Sequence, residues 1–277
     1  MTELSPEELE RQYNPRVTVP DFQMYLDRAA RASEAARAAL PAIRDIRYGP
    51  QPRQLLDIYP ADDPRAPVVI YVHGGFWRAL SKEAFAGLAG ALRPRGIATV
   101  LVGYDLCPAV SLDELVGEII DAVAWCGTHL KDHGLEPRRT VLAGSSAGAH
   151  LCAMTLLSRP APHIDAACLV SGIYDVEPVL RISVGPAIGL DAAMARRNSP
   201  IRLVHQLGIP FLVAVGEAES SEWRLQSERF TARCREEGND VRFLPLPGVH
   251  HFSTGMSAPG SILNEALVFL ATSTDAR

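Results

Sequence analysis

From about residue 43 onward the chain alternates between short apolar runs and longer stretches of helical period. Residues 68–72, 97–102, 140–143, 166–170, 211–215 and 241–244 are short runs, most of them nearly continuous in apolar character. Runs of this kind read as strands buried on both faces, because a half-exposed strand alternates polar and apolar positions. Between them lie helix-like stretches at roughly 82–93, 112–130, 147–157, 222–237 and 261–271. In the second of these, apolar residues fall at 115, 116, 119, 120, 123 and 130. The alternation predicts an α/β fold with a mostly parallel central sheet and helices on both faces.

Two regions depart from the alternation. Residues 1 to about 42 read as a polar, N-terminal helical arm. Ser5-Pro6-Glu7-Glu8 has a capping serine, a proline in the first turn and early acids, the marks of a helix start. A second helix, capped by Asp21, is expected to run through Leu40 and stop at Pro41, with Tyr13-Asn14-Pro15-Arg16 irregular between the two. Next, 43–48 and 55–59 are short β-like runs around Gly49-Pro50-Gln51-Pro52, which predicts a hairpin. The other departure, about 174–206, holds short helical pieces broken by Gly185-Pro186, Gly189 and Ser199-Pro200, as a small cap inserted over one end of the sheet would. Without repeats or a low-complexity linker, the 277 residues are expected to form a single domain.

Composition narrows the function classes. A hydrophobic content of 47% supplies ample core material, and a net charge of -5 gives no reason to expect a polyanionic partner. Arginines occur singly or in pairs (Arg138-Arg139, Arg196-Arg197) and not as a stripe, which argues against nucleic-acid binding. The acidic, polar start argues against a secretory signal, and no apolar run approaches a bilayer span. The five cysteines, Cys107, Cys126, Cys152, Cys168 and Cys234, lack metal-like spacing and read as reduced, packed thiols of a cytoplasmic protein. A homodimer is compatible with the chain.

In a parallel sheet of this class, function gathers at the carboxyl ends of the strands. The run ending at Ala143 leads into Gly144-Ser145-Ser146-Ala147-Gly148, the form of a sharp strand-to-helix turn with Ser146 at its tip as candidate nucleophile. The strand at 68–72 is followed by His73-Gly74-Gly75-Phe76-Trp77. The Gly74 and Gly75 amides, with that of Ala147, are candidates for an oxyanion hole, while His73 is expected to fix the loop. After 211–215 comes Gly216-Glu217-Ala218-Glu219. A carboxylate here is placed to orient a base histidine; Glu219 is preferred, with Glu217 and Glu222 as competitors. After the last strand, Val249-His250-His251-Phe252 offers two histidines. Ser146, acid, His251 is then the chain order of the α/β-hydrolase triad.

These residues resemble the α/β-hydrolase superfamily, and within it the group around kynurenine formamidase (arylformamidase), over about residues 13–270. The resemblance rests on Tyr13-Asn14-Pro15-Arg16, Tyr48-Gly49-Pro50, Leu56-Asp57-Ile58-Tyr59, His73-Gly74-Gly75-Phe76-Trp77, Tyr104-Asp105-Leu106-Cys107-Pro108, Ser171-Gly172-Ile173-Tyr174-Asp175-Val176-Glu177-Pro178 and His251-Phe252-Ser253. Hormone-sensitive-lipase-like esterases share only the His-Gly-Gly, the Tyr-x-Leu-x-Pro and the triad. The resemblance implies Ser146 as nucleophile, His251 as base and Glu219 as acid. Glu219 stands where the group usually has aspartate, and Ser145 where many relatives have histidine. Arg181-Ile182-Ser183-Val184-Gly185 departs from the relatives' Ser-Val-Asn-Glu-like segment.

The expected chemistry is acyl transfer to water from a small-molecule substrate, with no metal or organic cofactor needed. Phe76, Trp77, Tyr104 and Tyr174 are candidates for an aromatic substrate pocket, packing in the core being the alternative for each. Arylformamides are favoured because formyl is small and an anilide leaves more easily than an alkyl amine. A carboxylesterase, or an amidase or carbamate hydrolase, is the next reading, and a non-catalytic ligand-binding hydrolase fold the third.

Overall fold

The computed structural model describes residues 4–273. Its sheet is built from β1 (Ile43–Arg47), β2 (Leu55–Tyr59), β3 (Val68–Val72), β4 (Ala98–Val102), β5 (Thr140–Ser145), β6 (Ala166–Val170), β7 (Phe211–Gly216) and β8 (Val241–Leu246). Their spatial order is β1-β2-β4-β3-β5-β6-β7-β8. β2 runs antiparallel to both β1 and β4, and from β4 to β8 every pairing is parallel. This is an α/β-hydrolase-like sheet, with the hairpin expected around Gly49-Pro50 at its edge.

The α-helices among the described residues are α1 (Pro6–Tyr13), α2 (Pro15–Thr18), α3 (Phe22–Ala39), α4 (Gly87–Leu92), α5 (Leu112–His129), α6 (Ala147–Leu156), α7 (Val184–Ala187), α8 (Ala192–Arg197), α9 (Ser221–Glu236) and α10 (Ile262–Thr272). β3, β4, β6 and β7 are buried at every position, as their unbroken apolar runs require. Alternate residues feed two cores. Val68, Ile70, Val72 and Leu142 pack with side chains of α5, α6 and α9, while Val69, Tyr71, Val141 and Ala143 pack with those of α3, α4 and α10. No helix among the described residues is long and apolar enough to cross a membrane.

The register brings the strand ends to one level. Val72 pairs with Gly144, Ser145 with Val170, Val170 with Ala214, and Gly216 with Leu246. The residues that follow β3, β5, β6, β7 and β8 therefore leave the sheet along one edge.

Three local expectations are corrected. The stretch 82–93 is not one helix: a 3₁₀ turn at Lys82–Phe85 precedes α4, and another at Arg93–Arg95 follows it. Lys82 is drawn inward, where its Nζ donates to Asp57 (2.6 Å), Asp45 (2.8 Å) and Glu83 (2.8 Å). Asp57 is wholly buried and also accepts from Arg37 of α3 (3.1 Å), so this network ties the helix to the hairpin. Second, Asp21 makes no capping bond; the first turn of α3 is met by backbone carbonyls of Val19 and Asp21. Third, Asn14-Pro15-Arg16 is ordered as the start of one-turn α2, with the Asn14 side chain accepting from the Arg16 amide and proline in the first turn.

The N-terminal arm is docked, not free; its residues 1–3 lie outside the described residues. Leu9 and Tyr13 are buried, Ser5 caps α1 as expected, and Ser220 Oγ donates to the Gln12 carbonyl (2.5 Å). Glu10 accepts from both the amide and the hydroxyl of Ser183 (2.7 Å each) in the segment between β6 and β7. That segment holds α7, α8 and two 3₁₀ turns. Gln226 of α9 clamps its start, accepting from the amides of Tyr174 and Asp175 (2.7 Å each).

Candidate active site

Ser146 sits between β5 and α6 at φ 57°, ψ -124°. A serine pays about 1–3 kcal/mol to occupy such backbone space, so the surroundings must hold it there. They do. Its amide donates to Val170 O of β6 (2.8 Å), and its carbonyl accepts from His150 in the first turn of α6 (3.1 Å). The flanking glycines are sterically required: a Cβ on Gly144 would lie 2.6 Å from Gly148, and one on Gly148 would lie 2.1 Å from the Val72 carbonyl. Ser146 is 8% exposed, and its side chain makes no helix-capping bond.

The glycine loop after β3 lies directly on this turn. A Cβ on Gly74 would come within 2.8 Å of Ser145 O and 3.2 Å of Ser146 Cβ. Gly75 adopts φ +116°, which a side chain resists. Among the described residues no protein acceptor engages the Gly74 or Gly75 amide. Ala147 is the first residue of α6, where amides lack intrahelical partners. The glycine loop and the first turn of α6 thus flank Ser146. His73 supports the loop from behind: Nδ1 donates to Gly74 O (2.8 Å), and the ring stacks on Tyr104 at 4.1 Å. Burial pushes the His73 imidazole down to about 4.

Among the acids, geometry separates the competitors. Glu217 is exposed, and Glu222 accepts from the Tyr13 hydroxyl (3.2 Å). Glu219 is buried; its Oε2 lies 2.6 Å from Nδ1 of His251, and its Oε1 accepts from the Gly216 amide (2.9 Å) and from Ser171 Oγ (2.5 Å). The histidines separate as well. His250 accepts from the Phe252 amide through Nδ1 (3.2 Å) and packs edge-on against Tyr25 of α3, whereas His251 faces Glu219. The arm borders this pair through a narrow cleft that includes Gln12, Thr18, Val19, Ser220 and Trp223. A hollow of about 170 Å³ at the amino ends of the strands, lined by residues such as Arg139, Phe211 and Arg242, holds none of these groups.

The expected aromatic pocket is corrected in three of its four members. Trp77, Tyr104 and Tyr174 have no exposed surface. The Trp77 indole donates to His150 Nδ1 (3.1 Å), the Tyr104 hydroxyl donates to His73 O (2.6 Å), and Tyr174 stacks on Phe230 at 4.1 Å. Large rings following buried strands found partners in the core, a choice that local pattern does not display. Phe76 alone is half-buried; it meets Trp223 edge-on at 6.0 Å.

Sequence reasoning missed Ser171, Trp223 and His150, whose contacts with these groups come from distant segments. His150 donates through Nε2 to Asn198 O (2.7 Å) while accepting from Trp77, which fixes its neutral tautomer, and burial pushes it down to about 4. Burial pushes the Cys126, Cys168 and Cys234 thiols up to about 12, as suits packed groups. Among the described residues, no group of three or more His, Cys, Asp or Glu side chains is arranged to hold a metal ion.

The chain is similar to known hydrolases. A family model described as BD-FAE matches residues 56–184. Kynurenine formamidase of Danio rerio is 34% identical over 90% of both chains, and that of Salmo salar 33% over 91% of this chain and 90% of that one. Esterase LipQ of Mycobacterium tuberculosis is 31% identical over 75% of this chain and 56% of its own length. A crystal structure from Silicibacter sp., provisionally assigned as a thioesterase, superposes with TM-score 0.83 at 26% identity, covering 96% of this chain and 99% of that one. The chain belongs to the α/β-hydrolases, in the group around kynurenine formamidase, and is a hydrolase of that esterase and formamidase class.

Proposed function

We propose that the protein is a serine hydrolase that removes a small acyl group, formyl foremost, from an aryl amine of the N-formylkynurenine type. The observation that carries the reading is the bond between His251 Nδ1 and the buried Glu219 carboxylate, on the sheet edge that also carries Ser146. An acceptor on Nδ1 leaves Nε2 as the nitrogen able to take a proton, and the carboxylate stabilises the imidazolium that forms. Ser146 then attacks the carbonyl carbon as His251 accepts its hydroxyl proton. The Gly74, Gly75 and Ala147 amides hold the oxyanion, an interaction stronger in the transition state than in the ground state. His251 returns the proton to the leaving amine. Water, activated by the same histidine, releases the acid and restores the serine.

Identity of 34% over nine-tenths of both chains supports a formamidase preference. So does the enclosure of Ser146, beside which a side chain on Gly74 would crowd its Cβ, which suits a small acyl group. A carboxylesterase for short acyl or aryl esters is the second reading, favoured by the 31% identity to LipQ. The test is kcat/KM on N-formylkynurenine, formanilides, acetanilides and p-nitrophenyl acetate. The formamidase reading expects the formyl amides to lead. Faster turnover of the aryl ester than of every formyl amide would overturn it in favour of the esterase.

A further inference from the structure

Ser171 is the first residue after β6 and opens the Ser171-Gly172-Ile173-Tyr174-Asp175 segment, to which the proposed mechanism gives no part. All its polar groups are engaged. Its amide donates to Ala214 O of β7 (2.8 Å), its hydroxyl to Glu219 Oε1 (2.5 Å), and its carbonyl accepts the indole N–H of Trp223 (2.8 Å). It does so at φ +49°, a region that costs a residue with a side chain and persists where several contacts over-determine it. The Ser171 hydroxyl and the His251 ring therefore sit on the two oxygens of one carboxylate. Trp223 meets the same imidazole in a T-shaped contact, 4.6 Å between centroids and 78° between planes.

We propose that Ser171 is a positioning residue for hydrolysis, fixing the Glu219 carboxylate through its hydroxyl and Trp223 through its carbonyl, and thereby the orientation and basicity of His251. The inference rests on the reading of Glu219 and His251 given above. A donor on Oε1 draws charge away from the carboxylate. Without it, the carboxylate stabilises the imidazolium more strongly and loses a restraint on its orientation. Turnover should slow, and the acid limb of activity should move to higher pH. His250, on the same loop, shares the cleft with the ring, and behind Trp223 the Tyr13 hydroxyl of α1 donates to Glu222 of α9. The arm residues lining the cleft, Gln12, Pro15, Thr18 and Val19, carry none.

The experiment compares Ser171→Ala and Ser171→Gly with wild type, with rates divided by the concentration of sites labelled by a fluorophosphonate. Glycine takes φ +49° without strain, so it separates loss of the hydroxyl from backbone effects. Both variants should lose about tenfold in kcat with KM changed by less than about twofold. The acid-limb midpoint of kcat/KM should rise by about half a pH unit. A midpoint equal to wild type in either folded variant overturns the inference, since a purely structural role would lower the number of active sites and leave the midpoint in place. A wild-type rate that survives loss of Ser146, or that shows no acid limb, instead overturns the catalytic reading beneath it.

Discussion

Nδ1 of His251 lies 2.6 Å from Oε2 of Glu219, although 32 residues separate them in the chain. The carboxylate is held by the Gly216 amide and the Ser171 hydroxyl, so the imidazole meets an acceptor already fixed in place. Glu219→Gln should keep the fold and lower kcat by about 10³–10⁴-fold, because an amide both weakens stabilisation of the imidazolium and offers N–H where an acceptor is needed. Steady-state rates per labelled site check this. A loss below tenfold would move the acid role elsewhere.

Ser146→Ala should abolish nearly all turnover and all fluorophosphonate labelling, with circular dichroism unchanged. Because the serine holds φ 57°, alanine inherits the same backbone strain, and stability should change little. Retained hydrolysis at the wild-type rate would remove Ser146 from the mechanism.

The two neighbouring histidines should part company. His251→Ala should cost about as much as loss of the serine, since residues of one catalytic unit fail together. His250→Ala, which removes a ring packed on Tyr25, should retain most activity and act mainly on stability. In the wild type, rates should fall at low pH, because an imidazolium cannot accept the serine proton.

Stability should have its own pH dependence, set away from the catalytic groups. His73 and His150 are buried as neutral rings, pushed from 6.5 in the open chain down to about 4. Between these values the unfolded chain binds more protons, so their contribution is complete above 6.5 and is lost as pH falls toward 4. Thermal melts at pH 7 and pH 5 should differ by roughly 10 °C. His150→Gln keeps a donor for Asn198 O and an acceptor for Trp77 without titrating, and should shrink that difference by about half. An unchanged pH slope would exclude His150 as a source.

Lys82 gives a second stability test. With Asp57 fully buried beneath it, Lys82→Met leaves a carboxylate served by Arg37 and the Asp45 amide alone, and should cost about 3–5 kcal/mol. Lys82→Met combined with Asp57→Leu should recover part of that loss. Urea titration measures both, and a single variant as stable as wild type would show that the charges relax into water.

Much of this protein is determined by the order of its residues alone. Unbroken apolar runs such as Val68–Val72 require strands covered on both sides, and the glycines around Ser146 and after His73 mark turns that only small residues fit. These are local constraints of solvent exclusion and sterics, and they locate the strand ends that carry the candidate chemistry. Partnership is not local. That Glu219 meets His251, that Trp77, Tyr104 and Tyr174 turn into the core, and that α1 docks on α9 through Tyr13 and Glu222, 209 residues apart, follow from tertiary packing. The same holds for Ser171, whose contacts with Glu219 and Trp223 span 48 and 52 residues. A side chain's polar partner is decided by which buried groups the fold leaves to be satisfied, and that demand exists only once the sheet has closed.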